Sequence, residues 1–181
     1  MNAKTTFCAV VLLVVSASVA VAQNSGTLRL TSALPKVDGV IGAKEYTLAV
    51  DAAGMQLGLS LSADTLFVAL SAPTTGWVAV GLGSTRMDGA VMYIGFVGPD
   101  KDQLKVQQGT GHRHADMDTN SPQQYSLSES NGRTSMELAL PASSFIAKGQ
   151  KTLDLVVAMG GADSFVSMHK AKAGLTIGIA Q

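Results

Sequence analysis

Met55-Gln56-Leu57-Gly58-Leu59-Ser60-Leu61 sets an apolar side chain at every second position, with a polar or small residue between each pair. Successive side chains of an extended backbone point to opposite faces, so this spacing reads as a β-strand with one face on a core. Working outward, the same alternation runs from Thr65 to Ser71, Gly76 to Leu82, Val91 to Val97, Leu104 to Gln107, Gln124 to Ser128, Thr134 to Leu140, Leu153 to Met159 and Leu175 to Ile179. Toward the N-terminus, Thr27 to Thr31 and Tyr46 to Val50 add two more segments. Turn signals separate them at Asp38-Gly39, Ala63-Asp64, Pro73, Gly98-Pro99-Asp100, Asn131-Gly132 and Gly160-Gly161. Asn131-Gly132 is the most specific of these, because a two-residue type I′ hairpin turn needs positive φ at both positions. Pro141-Ala142-Ser143-Ser144-Phe145 suits a single helical turn, and no amphipathic helix exceeds about two turns. The pattern predicts an all-β fold, an antiparallel immunoglobulin-like β-sandwich of about ten to eleven strands.

Composition narrows what such a sandwich can do. The chain has 181 residues, with 13 Lys+Arg against 13 Asp+Glu and 46% hydrophobic residues. That balance fits one globular domain and offers no basic footprint for phosphates, so no nucleic acid is expected as a partner. Lys4, the apolar run from Phe7 to Val15 and the small residues Ala20-Val21-Ala22 form a signal-peptide pattern. The expected organisation is a cleaved signal over residues 1–22 and a mature domain over 23–181, secreted or periplasmic, with no stable membrane insertion after cleavage. Cys8, the single cysteine, leaves with the signal. The mature domain then has no thiol for c-type haem attachment, an iron–sulfur cluster, a thiolate zinc site or nucleophilic catalysis.

The residues able to carry chemistry are few. His112 and His114 form an H-x-H pair in the strand-poor stretch from Gln108 to Gln123. Two imidazoles at i and i+2 can share a face in extended backbone, so with Asp116 or Met117 they could hold one metal ion, and with Met117 copper. His169 precedes the last predicted strand, beside Lys170 and Lys172. Met55, Met92, Met136 and Met159 fit strand alternation and are expected in the core, as is Trp77. Met87 does not fit it, since it lies in the glycine-flanked loop Gly83-Ser84-Thr85-Arg86-Met87-Asp88-Gly89-Ala90. A thioether and an imidazole together are an axial pair for low-spin haem iron. No catalytic triad, paired carboxylates or activated nucleophile stands out, so an enzyme is not expected.

Gly76-Trp77-Val78-Ala79-Val80-Gly81-Leu82-Gly83 followed by Met87-Asp88-Gly89-Ala90-Val91-Met92 resembles the signature of the DOMON domain. That family includes the cytochrome domain of cellobiose dehydrogenase and the N-terminal domain of dopamine β-monooxygenase. Val37-Asp38-Gly39-Val40-Ile41, the Gly132 hairpin, Leu138-Ala139-Leu140-Pro141 and a late His169 also agree with it. The resemblance covers nearly the whole mature chain, with a specific core of about twenty residues. In the cytochrome branch, a Met after the Gly-Trp strand and a His before the final strand are the axial ligands. The resemblance therefore implies non-covalent haem b held by Met87 and His169, in an exported b-type cytochrome domain that passes single electrons to a separate redox protein. Met87→Ala would then open a coordination site on the iron. The family also has ligand-binding members, so the alternatives are a secreted carbohydrate- or protein-binding sandwich without haem and a copper-binding protein working through His112 and His114.

Overall fold

A computed structural model describes residues 26–180. The expected signal over residues 1–22 and Cys8 lie outside them. Twelve strands are present among the described residues: β1 (Thr27–Leu28), β2 (Leu48–Ala52), β3 (Met55–Leu61), β4 (Thr65–Ala72), β5 (Val78–Leu82), β6 (Val91–Val97), β7 (Asp102–Thr110), β8 (Arg113–Asp116), β9 (Gln124–Ser130), β10 (Arg133–Pro141), β11 (Thr152–Gly160) and β12 (His169–Ile179). They form a sandwich of a seven-stranded sheet, ordered β1-β12-β11-β5-β6-β7-β8, and a five-stranded sheet, ordered β2-β3-β4-β10-β9. Neighbours run antiparallel throughout except β1 against β12.

Alternation decides which side chains meet between the sheets. Leu57 and Leu59 of β3, Val68 and Leu70 of β4, and Met136, Leu138 and Leu140 of β10 face Val78, Val80 and Leu82 of β5, Tyr93 of β6, and Leu155 and Val157 of β11. The β9–β10 hairpin turns at Asn131 and Gly132, with φ of 52° and 71°, as its sequence demands. Ala142–Ser144 makes a single 3-10 turn after β10.

Three local expectations change. The stretch from Gln108 to Gln123 is not strand-poor throughout, because β7 runs on to Thr110 and turns into β8. All four β8 residues are exposed, so this edge strand has no apolar stripe to betray it; the ladder and the Lys105–Asp116 ion pair, at 2.6 Å, hold it. The last strand starts at His169 rather than at Leu175, since Ala171 and Ala173 are too small to register as an apolar stripe although they pack on the core. Trp77 and Met92 are buried, yet away from the sandwich interior, in a second cluster on the outer face of the seven-stranded sheet.

The five-stranded sheet also has an apolar outer face. Phe67, Ala69 and Ala139 pack there against Tyr46, Val37 and Ile41 from the segment leading into β2. The fully buried Glu137 lies on the same face and accepts hydrogen bonds from the Asp38 and Gly39 amides, at 3.1 and 2.7 Å, and from the Tyr46 hydroxyl, at 2.7 Å. The Val37-Asp38-Gly39 motif is thus a strap fastened across this sheet by one carboxylate.

Candidate functional site

The second cluster forms the floor of a cavity of about 740 Å³. Trp77, Ala79 and Gly81 come from β5 and the residue before it, Met92 and Ile94 from β6, and Val156 and Ala158 from β11. These three strands carry apolar residues on both faces, which explains why Trp77 and Met92 read as ordinary core in the sequence. Small side chains at Ala79, Gly81 and Ala158 keep the middle of the floor shallow. A side chain at Gly160 would strike the Trp77 indole, so glycine there lets the ring lie against the end of β11.

Two loops complete the walls. The loop between β11 and β12 is tied to the floor by Trp77 Nε1, which donates to Ser167 Oγ at 2.8 Å, and by Phe165, whose ring centroid stands 4.8 Å from that of Phe96. Lys105 Nζ lies 5.2 Å from the centroid of the Phe165 ring. The loop between β5 and β6 carries Met87, half-buried against the floor cluster. Its backbone turns tightly, with the Ala90 amide donating to the Met87 carbonyl at 3.1 Å, and it leans on β7. There Gly89 N donates to Gly109 O at 3.1 Å and Gly109 N to Ala90 O at 2.9 Å. A side chain at Gly109 would collide with the Met87 carbonyl, so this approach requires glycine.

His169 reaches the cavity through an irregularity in the sheet. Met159 pairs with Ala171, but Gly160 pairs with His169, leaving Lys170 as an extra residue on β12. Regular alternation would turn His169 to the inner face with Ala171 and Ala173. The bulge reverses that parity and sets it opposite Gly160, on the outer face shared with Val156 and Ala158. Met87 and His169 both line the cavity. By strand register they enter from opposite corners, His169 beside the Trp77 end of β5 and Met87 beyond the Leu82 end.

His112 and His114 line it as well, so every histidine of this chain faces one cavity. The two do not sit on one extended strand: His112 is in the β7–β8 turn after Gly111, whose φ is 61°, and His114 is on β8. Among the described residues no group of three or more His, Cys, Asp or Glu is arranged to hold a metal. Asp116, which the metal reading offers as a further ligand, is instead paired with Lys105 and accepts from Gln107 Nε2 at 2.6 Å; both hydrogen bonds hold its carboxyl below the usual range. Met168, which sequence reasoning passed over, also lines the cavity and is 83% exposed, next to Val166 at 91%. Its position beside His169 was the one available signal.

No family model and no curated protein matches this sequence. Solved structures do. The cytochrome b domain of pyranose dehydrogenase from Coprinopsis cinerea is similar at TM-score 0.54 and 12% identity, over 70% of this chain and 77% of that one. The cytochrome domain of cellobiose dehydrogenase from Myriococcum thermophilum is similar at TM-score 0.55 and 12% identity, over 74% and 81%. A family 9 carbohydrate-binding module from Caldicellulosiruptor kristjanssonii, solved with cellotriose, is similar at TM-score 0.53 and 10% identity, over 85% and 92%. The chain shares the fold of cytochrome b domains. The DOMON resemblance seen in the sequence therefore holds at the level of fold.

The cavity can be tested against the haem that such domains bind. Its volume is within the range of small-molecule and cofactor sites, and its floor is apolar and built on rigid strands. Its walls offer imidazole and thioether donors, the types that ligate haem iron without a covalent link. Arg86 and Lys172 also line it and can face carboxylates. The residues present fit the group.

Proposed function

We propose that this chain is an exported haem-b-binding domain that carries single electrons, with Met87 and His169 as the axial ligands. The observation that carries the reading is that these two residues, remote in sequence, both line one apolar cavity in a fold shared with cytochrome b domains. Bound haem would supply a one-electron couple, biased toward the ferrous state by a thioether ligand. The floor residues would exclude water, Arg86 and Lys172 would face the propionates, and the pinned loops would hold the two donors in place. The domain is an electron carrier rather than an enzyme, and its donor or acceptor is a separate redox protein. The signal-like N-terminus over residues 1–22 supports export; among the described residues no helix is long and apolar enough to cross a membrane.

The test is expression with haem supply followed by optical spectra of the oxidised and reduced forms. A low-spin, reducible spectrum is expected for the parent, and His169→Ala should lose most of the haem. Failure of the parent to take up haem overturns the reading. Carbohydrate binding is the second reading, favoured by the similarity to a module solved with cellotriose. Sugar stacking needs an open aromatic face, however, and Trp77 is only 7% exposed. Binding to cello-oligosaccharides that survives Met87→Ala and His169→Ala would favour it.

A further inference from the structure

Three histidines at one cavity are two more than a Met/His site uses together with Met87. We propose that His112 is a reserve axial ligand, which takes the iron position of Met87 whenever the thioether leaves it. The inference rests on the haem reading above and concerns a residue that the reading does not require.

Three observations single out His112. It lies on the same flank of the cavity as Met87: the Gly111 amide donates to Asp88 Oδ1 at 2.7 Å, so the residue after Met87 is tied to the residue before His112. The Gly109 contacts fasten the Met87 loop to the end of β7 that leads into the His112 turn. His169 stands apart at the far corner, on β12, and is therefore not a competitor for that position.

The second observation is that His112 is uncommitted. Among the described residues no hydrogen bond or ion pair engages its ring; the His114 ring has none either, but lies within electrostatic reach of the Asp116 carboxylate. The third is freedom of movement. Gly111 and His112 are the two residues of the turn between the paired Thr110 and Arg113, so the ring can swing without breaking the ladder. His114 is paired within β8, against Gly109.

Imidazole is a strong donor to both iron states and a thioether a weak one to ferric iron, so an adjacent free imidazole takes a vacated ferric position. In the exchange an iron–nitrogen bond replaces an iron–sulfur bond. Any proton on the accepting nitrogen goes to water, and no electron moves.

The experiment compares haem-loaded Met87→Ala, Met87→Ala/His112→Ala and Met87→Ala/His114→Ala by optical and electron paramagnetic resonance spectra. The single variant should remain low-spin with a bis-imidazole signature and a lower potential than the parent. Adding His112→Ala should convert it to high-spin, and adding His114→Ala should not. Met87→Leu, which keeps the apolar bulk, serves if the alanine variant folds poorly. A high-spin Met87 variant that free imidazole returns to low-spin has an intact but empty position, and overturns the proposal. So does low-spin character that persists without His112. Both outcomes leave the haem reading standing, whereas a parent that takes up no haem removes that reading itself.

Discussion

Each sheet of this sandwich buries apolar residues on the face turned away from its partner, and the two faces end differently. On the five-stranded sheet Phe67, Ala69 and Ala139 are covered by the chain's own strap, and the buried Glu137 has a donor for each carboxylate oxygen. On the seven-stranded sheet Trp77, Ala79, Met92 and Ile94 are roofed only in part, and the gap is the cavity. An apolar face that its own chain seals is structure, while one left open and ringed with unpaired donors is a site. The physical difference is satisfaction: every polar group at Glu137 is spent inside the fold, whereas the rings of His112 and His169 are not.

That contrast can be broken from either side. Glu137→Ala should be the most damaging change, since it leaves two amides and a phenol without an acceptor. About 3 to 5 kcal/mol of stability should be lost, a fall in Tm on the order of 10 °C, read by thermal unfolding of the haem-free protein. Haem uptake measured below the transition should be unchanged, and its loss would show that the two faces are coupled. Gly109→Ala comes next, at about 2 kcal/mol, because β7 and the Met87 loop cannot both stay where they are. Unlike the first variant, it should weaken haem binding in a titration.

Tyr46→Phe should cost about 1 kcal/mol near neutral pH, through the acceptor it leaves unpaired on Glu137. Burial first, and then its hydrogen bond to Glu137, push the Tyr46 hydroxyl well above the ordinary phenol range. Tyr93, which donates to the Asn120 carbonyl at 2.7 Å, is raised by burial too. A group whose folded pKa is raised contributes its stability below the unfolded value, near 10, and loses it as the pH climbs beyond that. Denaturant midpoints should therefore fall above pH 10, and less steeply in Tyr46→Phe; equal slopes would deny Tyr46 a share. Ala158→Phe should have the smallest effect on stability, within about 0.5 kcal/mol, because its ring enters open space. It should nonetheless abolish haem uptake, and unimpaired uptake would move the cofactor off this floor.

The sequence was most legible where structure depends on neighbours along the chain. Met55–Leu61 and Val91–Val97 are strands with the very bounds that their alternation marks, and Asn131-Gly132 turns as its φ preference requires. It was least legible at β8, whose residues are all exposed, and at the start of β12, where alanines stand for an apolar stripe. For the candidate site, Met87 and His169 were legible through a motif resemblance, not through their spacing. Trp77 and Met92 were recognisable as buried, but not as floor.

By itself, then, the sequence determined the all-β class, most strand positions and the supply of donors, because alternation, turn chemistry and residue type are local properties. Only the tertiary structure decided which apolar face would stay open, since that depends on where the strap and the loops come to rest. It alone brought His112 and His114 to the cavity of Met87, through contacts between loops distant in sequence. It alone turned His169 outward, because the extra residue Lys170 exists only relative to the register of β11. A bulge is a relation between two strands, and no reading of one strand contains it.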